Sequence, residues 1–582
     1  MLFSEFVKCL EEIEKTSKRL EMFEILSNLF KKLKPGEFSK AIYFCEERLK
    51  PSYEGVEIGM AEKMLEKALS LSNGVSLKKV SDLHKKLGDL GLVAEQLSGK
   101  SAKLVKSEAL TLSEVYDTLL KVAKISGEGT VEQKVSLVAG LLSKANNLEA
   151  KYIARFINGR LRLGIGDPTI MDSLSMAKKG DRSLREAIEH AYNLCSDLGL
   201  VAETLFEKGE VALGKFKVVP GKPIRMAAAE RLSSSKEIIE KIGKCAVDTK
   251  FDGFRIQCHF DGKEIKMFSR NLENMTHMFP DLIEAVKREI KVKDIIFEGE
   301  AITYNEDTGE LYPFQVTIQR KRKHNIEEKK EELPLKMFVF DILYLNGEDI
   351  LSKPFVERRK ILEHVFSKGE KIVPSKLIIT DDSKVAEMFF DESISSGLEG
   401  VIFKRLDAPY SAGARNFNWI KLKRSYKGEL SDTVDLVILG YFKGKGMRVS
   451  LGIGAILGGV YDEKEDTFKT LAKIGSGFSE ENWKRLKKDL DEISVKNKPA
   501  RIDSILVPDV WVTPKYVITV RADEITRSPM HTAGKDKDNI GYALRFPRAE
   551  GYIRSDKSPE EATTTKEIEE MFKIQKSKKL IE

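Results

Sequence analysis

Cysteine is scarce in this chain. Its 582 residues hold five, Cys9, Cys45, Cys195, Cys245 and Cys258, with no CxxC pair. That argues against a cysteine-ligated zinc site or a disulfide framework and for a reducing compartment. Histidine is nearly as scarce: seven residues, dispersed along the chain, give no imidazole cluster to hold a metal. Long apolar runs are missing as well. None approaches the 18 residues of a membrane span, and the N-terminus, "MLFSEFVKCLEEIEK", is charged by its fifth residue, unlike a signal peptide. The expectation is a soluble, cytoplasmic protein that touches no membrane. Nor does one sign of charge dominate. Lys and Arg outnumber Asp and Glu by 98 to 91, a formal charge of +7, so any nucleic-acid surface has to be local.

What is present suffices for several cores. A hydrophobic share of 41% is ordinary for a globular protein, and the length predicts three or four domains. The charged share, 32%, suits the ion-pair networks of a heat-adapted protein.

Residues 1 to about 210 carry a helical period: Phe6, Leu10, Ile13, Leu20, Phe23 and Leu26 recur at steps of three and four or their multiples, and Pro35-Gly36 closes the segment. A repeat runs through this region. "DLGLVAE" occurs at 89–95 and again at 197–203, and "IGMAEKMLEKALSLSNG" from 58 resembles "LGIGDPTIMDSLSMAKKG" from 163. Two similar helical halves stacking their apolar faces into one core are expected. From about 215 the period becomes two, in "CAVDTKF", "IKMFSRN", "DIIFEGEAIT", "LKMFVFDILYL", "GLEGVIFKR" and "NWIKLKR", with helical stretches at 279–290 and 356–366. This predicts an α+β domain with largely antiparallel sheets. Beyond "KRSYKGEL" the strands are short and glycine-rich, which suits a small barrel, and a surface helix follows at the C-terminus. The GxG runs there lack a strand–turn–helix context and read as hairpin turns. The predicted domains are 1–213, 214–427 and 428–582.

In "CAVDTKFDGFRIQCHF", residues 245–260, two strand-like halves flank Asp252-Gly253, so the simplest reading is a hairpin with Lys250 beside its turn. Taken alone, Lys250 reads as a solvated edge residue. Strand parity puts Asp248 on its face, pairs Glu298 with Glu300, and sets Trp419, Lys421 and Lys423 opposite Ile420 and Leu422. Together these residues supply what nucleotidyl transfer needs. A lysine attacks only as the neutral amine, and nearby positive charge such as Lys421 and Lys423 favours that state while neutralising phosphate oxygens. Carboxylates such as Glu399 bind Mg²⁺, and an aromatic such as Phe340 stacks on a base.

"KFDGFR" at 250–255 matches KxDGxR. The ordered set that follows is "SRN" (269–271), "EGEA" (298–301), "FVFDILYLNGE" (338–348), "LEGVIFK" (398–404), "WIKLK" (419–423) and "RFPR" (545–548). It resembles ATP-dependent DNA ligases of the archaeal and eukaryotic replicative type along nearly the whole chain. The resemblance implies a multidomain fold: an all-α DNA-binding domain, an α+β adenylation domain and a C-terminal β-barrel of the OB-fold type. It implies that Lys250 takes AMP from ATP, that Arg255 and Arg270 contact phosphate or ribose, and that Phe340 stacks on adenine. Glu300 would contact the ribose and, with Glu399, the metal, Mg²⁺ with Mn²⁺ as the alternative. Arg415 would touch the nucleotide, Lys421 and Lys423 would hold its phosphates, and Arg545 and Arg548 would orient the pyrophosphate. Asp248 stands where the family usually has Glu reading the adenine amino edge, one methylene shorter, which bears on how strictly ATP is chosen.

The implied activity is nick sealing in replication, repair and recombination by a monomer working at the nucleoid. "QRKRKHN" (319–325) and "NGRLRLGIG" (158–166) would touch DNA phosphates. A sliding clamp is a further implied partner, although "AEQLSGKSAKLVK" has the glutamine of a clamp motif without its aromatic pair. RNA ligases and capping guanylyltransferases lack a repeated helical domain ahead of the lysine. NAD-dependent ligases need a nicotinamide-reading domain and a cysteine-held zinc. An inactive DNA-binding relative would have lost a motif lysine or carboxylate, and all are present.

Overall fold

In a computed structural model the described residues are 1–582 except 17, 99–108, 128, 160, 162, 233, 307, 308, 310, 313, 318, 319, 321–331, 397, 424–432, 445–450, 538 and 582. They form two compact units. The first comprises Met1–Arg231, Ile238–Ala386 and Ile402–Lys421, and the second Leu232–Glu237, Glu387–Val401 and Leu422–Glu582.

The first unit opens with helices α1 (Phe3–Glu14), α2 (Arg19–Phe30), α3 (Phe38–Cys45), α4 (Glu62–Asn73), α5 (Leu77–Leu87) and α6 (Leu90–Ser98). A second series follows: α7 (Leu112–Lys124), α8 (Thr130–Lys144), α9 (Asn147–Ile157), α10 (Asp167–Lys179), α11 (Arg185–Cys195) and α12 (Leu198–Lys208). The repeat therefore extends to every helix, and the halves exchange partners: α4 packs on α8, α10 on α2, α6 on α9 and α12 on α3. Equivalent residues do equivalent work. Asp89 receives the Arg155 guanidinium (2.9 Å from Nη2), and Asp197 receives the Tyr43 hydroxyl (2.7 Å). Gly91 and Gly199 let the helices cross there, because a Cβ would lie 2.5 Å from Arg155 Cγ at the first and 2.6 Å from the Tyr43 ring at the second. Phe44 of α3 stacks on Phe156 of α9, ring centroids 4.2 Å apart. One apolar core results, from Phe3 to Leu213.

Two sheets follow. The five-stranded sheet has the order β1 (Ala228–Arg231), β11 (Arg415–Lys423), β10 (Gly400–Arg405), β2 (Cys245–Lys250), β9 (Leu377–Thr380). The six-stranded one runs β4 (Ile265–Ser269), β3 (Phe254–Phe260), β5 (Ile295–Thr303), β6 (Leu335–Leu345), β7 (Glu348–Asp349), with β8 (Ile372–Pro374) beside β6. Lys250 thus ends a strand of one sheet and Phe254 begins a strand of the other. The hairpin expected around Asp252-Gly253 does not form. Gly253 is needed for close approach instead: a Cβ there would stand 2.5 Å from the Ala301 carbonyl oxygen and 2.5 Å from Ile302 Cγ1 of β5.

In the second unit β12 (Val434–Phe442), β13 (Ala455–Asp462) and β14 (Thr467–Ile474) form an antiparallel meander. β15 (Ser494–Val495), β16 (Ile502–Asp503), β17 (Val510–Val512), β18 (Val517–Arg521) and β21 (Arg548–Arg554) extend it, while β19 (Glu524–Ser528) pairs with β20 (Gly541–Arg545) in a separate ladder. Among the described residues the sheet is open, where a closed barrel was expected. Of its edge strands, β15 and β16 are two residues long, too short to carry a closing ladder, and the third, β21, pairs with β18. The helix Glu480–Glu492 buries Trp483, Leu486 and Leu490 in this unit's core. Among the described residues no helix is long and apolar enough to cross a membrane.

Candidate active site

β2 puts Asp248 and Lys250 on one face, as alternation requires. Lys250, at the strand's end, is half-buried with Nζ 3.5 Å from the Phe251 carbonyl oxygen, while Asp248 is buried at 1% exposure. Where the chain leaves β2, the Glu300 carboxylate accepts a hydrogen bond from the Gly253 amide (3.2 Å). That carboxylate is therefore held beside the residues that follow the lysine. Phe251 stacks on Phe338 of β6, centroids 4.2 Å apart, and Phe340, two residues on, lies on the same half-buried face of that strand.

A second lysine comes into this region. Lys404, the last residue of the LEGVIFK stretch, is fully buried, and its Nζ donates to Asp248 Oδ2 (2.7 Å) and to the Phe340 carbonyl oxygen (3.0 Å). Its ammonium also faces the rings of Phe340, Phe355 and Trp419, at 5.1, 4.9 and 4.8 Å from their centroids. Asp248 Oδ1 is buried and, among the described residues, has no hydrogen-bond partner.

Behind the site lies a network centred on the buried carboxylate of Glu298. Arg255 Nη2 and the Tyr410 hydroxyl donate to its Oε2 (2.8 and 2.9 Å), and Gln257 Nε2 donates to its Oε1 (3.0 Å). The network anchors the strap leading into β1: Arg255 Nη1 donates to the Ala227 carbonyl, the Ala227 amide donates to Tyr410 Oη, and Gln257 pairs with both backbone groups of Ile224. Burial opposes the charge on Arg255, but Glu298, with Tyr410 and Glu300, outweighs it and holds the guanidinium above its ordinary pKa. Burial also lowers His259 to about 3. The neutral ring accepts the Gly221 amide at Nδ1 and meets Gln257 Oε1 through Nε2.

The remaining expected residues are spread more widely. Arg270 and Arg255 line a cleft of about 1500 Å³ that also takes in Arg48, Asn158, Asn274 and His277. Arg415 is exposed at the start of β11, opposite Ala228, and Lys421 is half-buried opposite Arg231. In the second unit, Glu399 accepts a hydrogen bond from Lys423 Nζ, Arg545 donates to Glu524 (2.6 Å), and Arg548 begins β21 opposite Arg521. Of the basic stretch 319–325, Arg320 is described. It is buried against Asp281 at 2.6 Å, a core ion pair in place of the expected phosphate contact. The rest of that stretch, Arg160 and Arg162, and most of the clamp-motif candidate lie outside the described residues.

Sequence reasoning missed Lys404, Tyr410 and the role of Glu298, which it took for half of a carboxylate pair. The available signal for Lys404 was its place in LEGVIFK, since parity sets Ile402 and Lys404 on the face opposite the buried Val401 and Phe403.

Residues 226–423, which contain Asp248, Lys250, Glu300, Phe340 and Lys404, match the family described as ATP dependent DNA ligase domain. Residues 2–175 match DNA ligase N terminus, and residues 450–557 match ATP dependent DNA ligase C terminal region. The chain belongs to the ATP-dependent DNA ligase family. A probable DNA ligase of Dictyoglomus turgidum is 54% identical over all of this chain and 99% of that protein. DNA ligase 2 of Thermofilum pendens is 44% identical over 97% of this chain and 96% of its own length. Among solved structures, the one designated Pmar-Lig_Pre shares 17% identity with a TM-score of 0.56, covering 95% of this chain and 99% of that one. At that identity the likeness concerns the fold alone.

Proposed function

We infer that this protein seals nicks in duplex DNA through a lysyl-adenylate. Lys250 Nζ attacks the α-phosphorus of ATP, a P–N bond forms, and the α–β P–O bond breaks to release pyrophosphate. A 5′-phosphate oxygen of the nick then attacks the AMP phosphorus and Lys250 leaves. Finally the 3′-hydroxyl attacks the activated 5′-phosphate, a phosphodiester forms and AMP departs. The free energy comes from ATP, and the protein contributes positioning and charge.

The observation that carries this reading is the grouping on and around β2 of Lys250, the open acceptor of Asp248 and the Phe340 carbonyl joined to Asp248 through Lys404. An unpaired buried acceptor beside an aromatic residue fits a purine that carries an amino group. Glu300 and Glu399 would hold Mg²⁺, which takes one or two carboxylates plus substrate phosphates and neutralises developing phosphoryl charge when bound. The cleft that takes in Arg48 supports contact with the DNA backbone beside the helical repeat, while Arg255 and Arg270 would contact the phosphate or ribose of the nucleotide. Arg415, Lys421 and Lys423 would bind the nucleotide phosphates. In this reading 1–213 grips DNA, 214–427 carries the chemistry, and 428–582 is an OB-type domain whose Arg545 and Arg548 would act on the pyrophosphate. The working form is a monomer at the nucleoid. A clamp partner would be tested by calorimetry.

The test is intact-mass spectrometry after incubation with ATP and Mg²⁺, for the wild type and for Lys250→Ala, followed by nicked duplex. The expected result is a gain of one AMP in the wild type alone, lost on adding the nick as sealed product appears. An adduct on Lys250→Ala, or none on the wild type, overturns the assignment.

A further inference from the structure

We propose that Lys404 is a positioning residue that sets the choice of base, by holding Asp248 so that its free oxygen accepts the 6-amino group of adenine and refuses a 6-oxo purine. The inference rests on the nucleotidyl-transfer reading above and assigns a determinant within that site.

The geometry carries it in three steps. Asp248 has two carboxylate oxygens, and Lys404 takes one of them at 2.7 Å inside the protein, both side chains at 1% exposure. The other, Oδ1, is buried and among the described residues has no hydrogen-bond partner, a condition that costs about 1–3 kcal/mol unless a donor arrives. A carboxylate paired with an ammonium offers acceptors only. The amino group of adenine would satisfy Oδ1, whereas the 6-oxo group of guanine would set lone pairs against it. Discrimination of this sort, with a buried polar atom left unpaired by the wrong substrate, is worth far more than a difference in shape.

Lys404 is itself fixed. Two acceptors and three ring faces surround its ammonium, so it cannot swing away without stranding a charge in an apolar box. One of those acceptors is the backbone carbonyl of Phe340. The ammonium thereby ties the edge-reading carboxylate to the residue whose ring would stack on the base. A shorter acid than the family's usual glutamate suits this arrangement, because a two-carbon reach leaves Asp248 few rotamers once one oxygen is anchored.

The test compares adenylation with ATP, GTP and ITP for the wild type, Lys404→Met and the double variant Asp248→Asn with Lys404→Met, the last removing both buried charges so that neither is left unpaired. ITP carries the 6-oxo group without the 2-amino group of guanine and isolates the edge in question. Initial rates of covalent nucleotidylation, read by intact mass, give the ratio of kcat/KM between nucleotides. The wild type should favour ATP over GTP and over ITP by at least a hundredfold, and both variants should lose at least tenfold of that ratio. A parallel fall with all three nucleotides, leaving the ratios at the wild-type value, would make Lys404 a packing residue and overturn the proposal. So would a wild type that takes ITP as readily as ATP. If the wild type forms an adduct with no nucleotide, the ligase reading itself fails and the role of Lys404 falls with it.

Discussion

Asp341 and Arg358 are both wholly buried and meet through two hydrogen bonds, Nε to Oδ1 at 2.8 Å and Nη2 to Oδ2 at 3.0 Å. Arg358 also donates to the carbonyls of Lys353 and Ala408. The pair fixes β6 immediately after Phe340. Removing one partner strands the other charge, so Asp341→Ala should cost about 3–5 kcal/mol, read as a lower urea midpoint at unchanged slope. Replacing both by apolar residues of similar volume should cost far less. Lys250 could be singled out in the sequence because KxDGxR is a local string and the ordered motifs gave it a context. Lys404 was not, because a lysine closing an alternating strand looks solvated, and its partner Asp248 is 156 residues away in sequence. Arg320 misled for the mirror reason: in a run of basic residues nothing local reveals that one of them turns inward to Asp281.

At the scale of elements, glycines decide how closely backbones approach. At Gly199 a Cβ would meet Tyr43 Cε1 at 2.6 Å and Cζ at 2.7 Å, both parts of a ring held by its hydroxyl on Asp197. Gly199→Ala should therefore destabilise the helical repeat by about 1–3 kcal/mol, the usual cost of overpacking, measured as loss of helical circular dichroism at lower denaturant. The same substitution at Gly214, where nothing lies within 4 Å of a Cβ, is the control. Helices and strands were readable from their periods, and the internal repeat from seven identical residues. The exchange of partners between the halves was not, since an apolar stripe says that a helix packs without saying on what. The missing hairpin at Asp252-Gly253 has a similar cause. A turn signal reports a change of direction, and only the proximity of β5 turns it into a passage from one sheet to another.

Over the whole molecule, acid groups placed for architecture leave a signature in pH. Glu46 closes α3 with Oε1 buried and, among the described residues, without a hydrogen-bond partner, and with Oε2 3.8 Å from Arg48 Nε. Burial raises its pKa to about 7; Asp167 and Asp197 push the same way, while Arg48 and Arg225 oppose. The folded state holds this proton more tightly than the unfolded chain, so the stability from Glu46 is complete below its unfolded pKa and is lost as pH rises through about 7. Glu46→Gln should raise the unfolding temperature by a few degrees at pH 8, up to about 3 kcal/mol of stability, and the gain should shrink to about a quarter of that at pH 5. Calorimetric scans at the two pH values decide it; a gain of equal size at both would remove the charge argument. The interlocked repeat has a consequence of another kind, in time. On the ribosome α2 emerges about 150 residues before α10, the helix that covers it. At ordinary synthesis speeds the wait is on the order of 10–30 s. Throughout it the apolar side of the nascent N-terminal half has no permanent cover, so chaperone demand during translation should fall on this domain's first hundred residues.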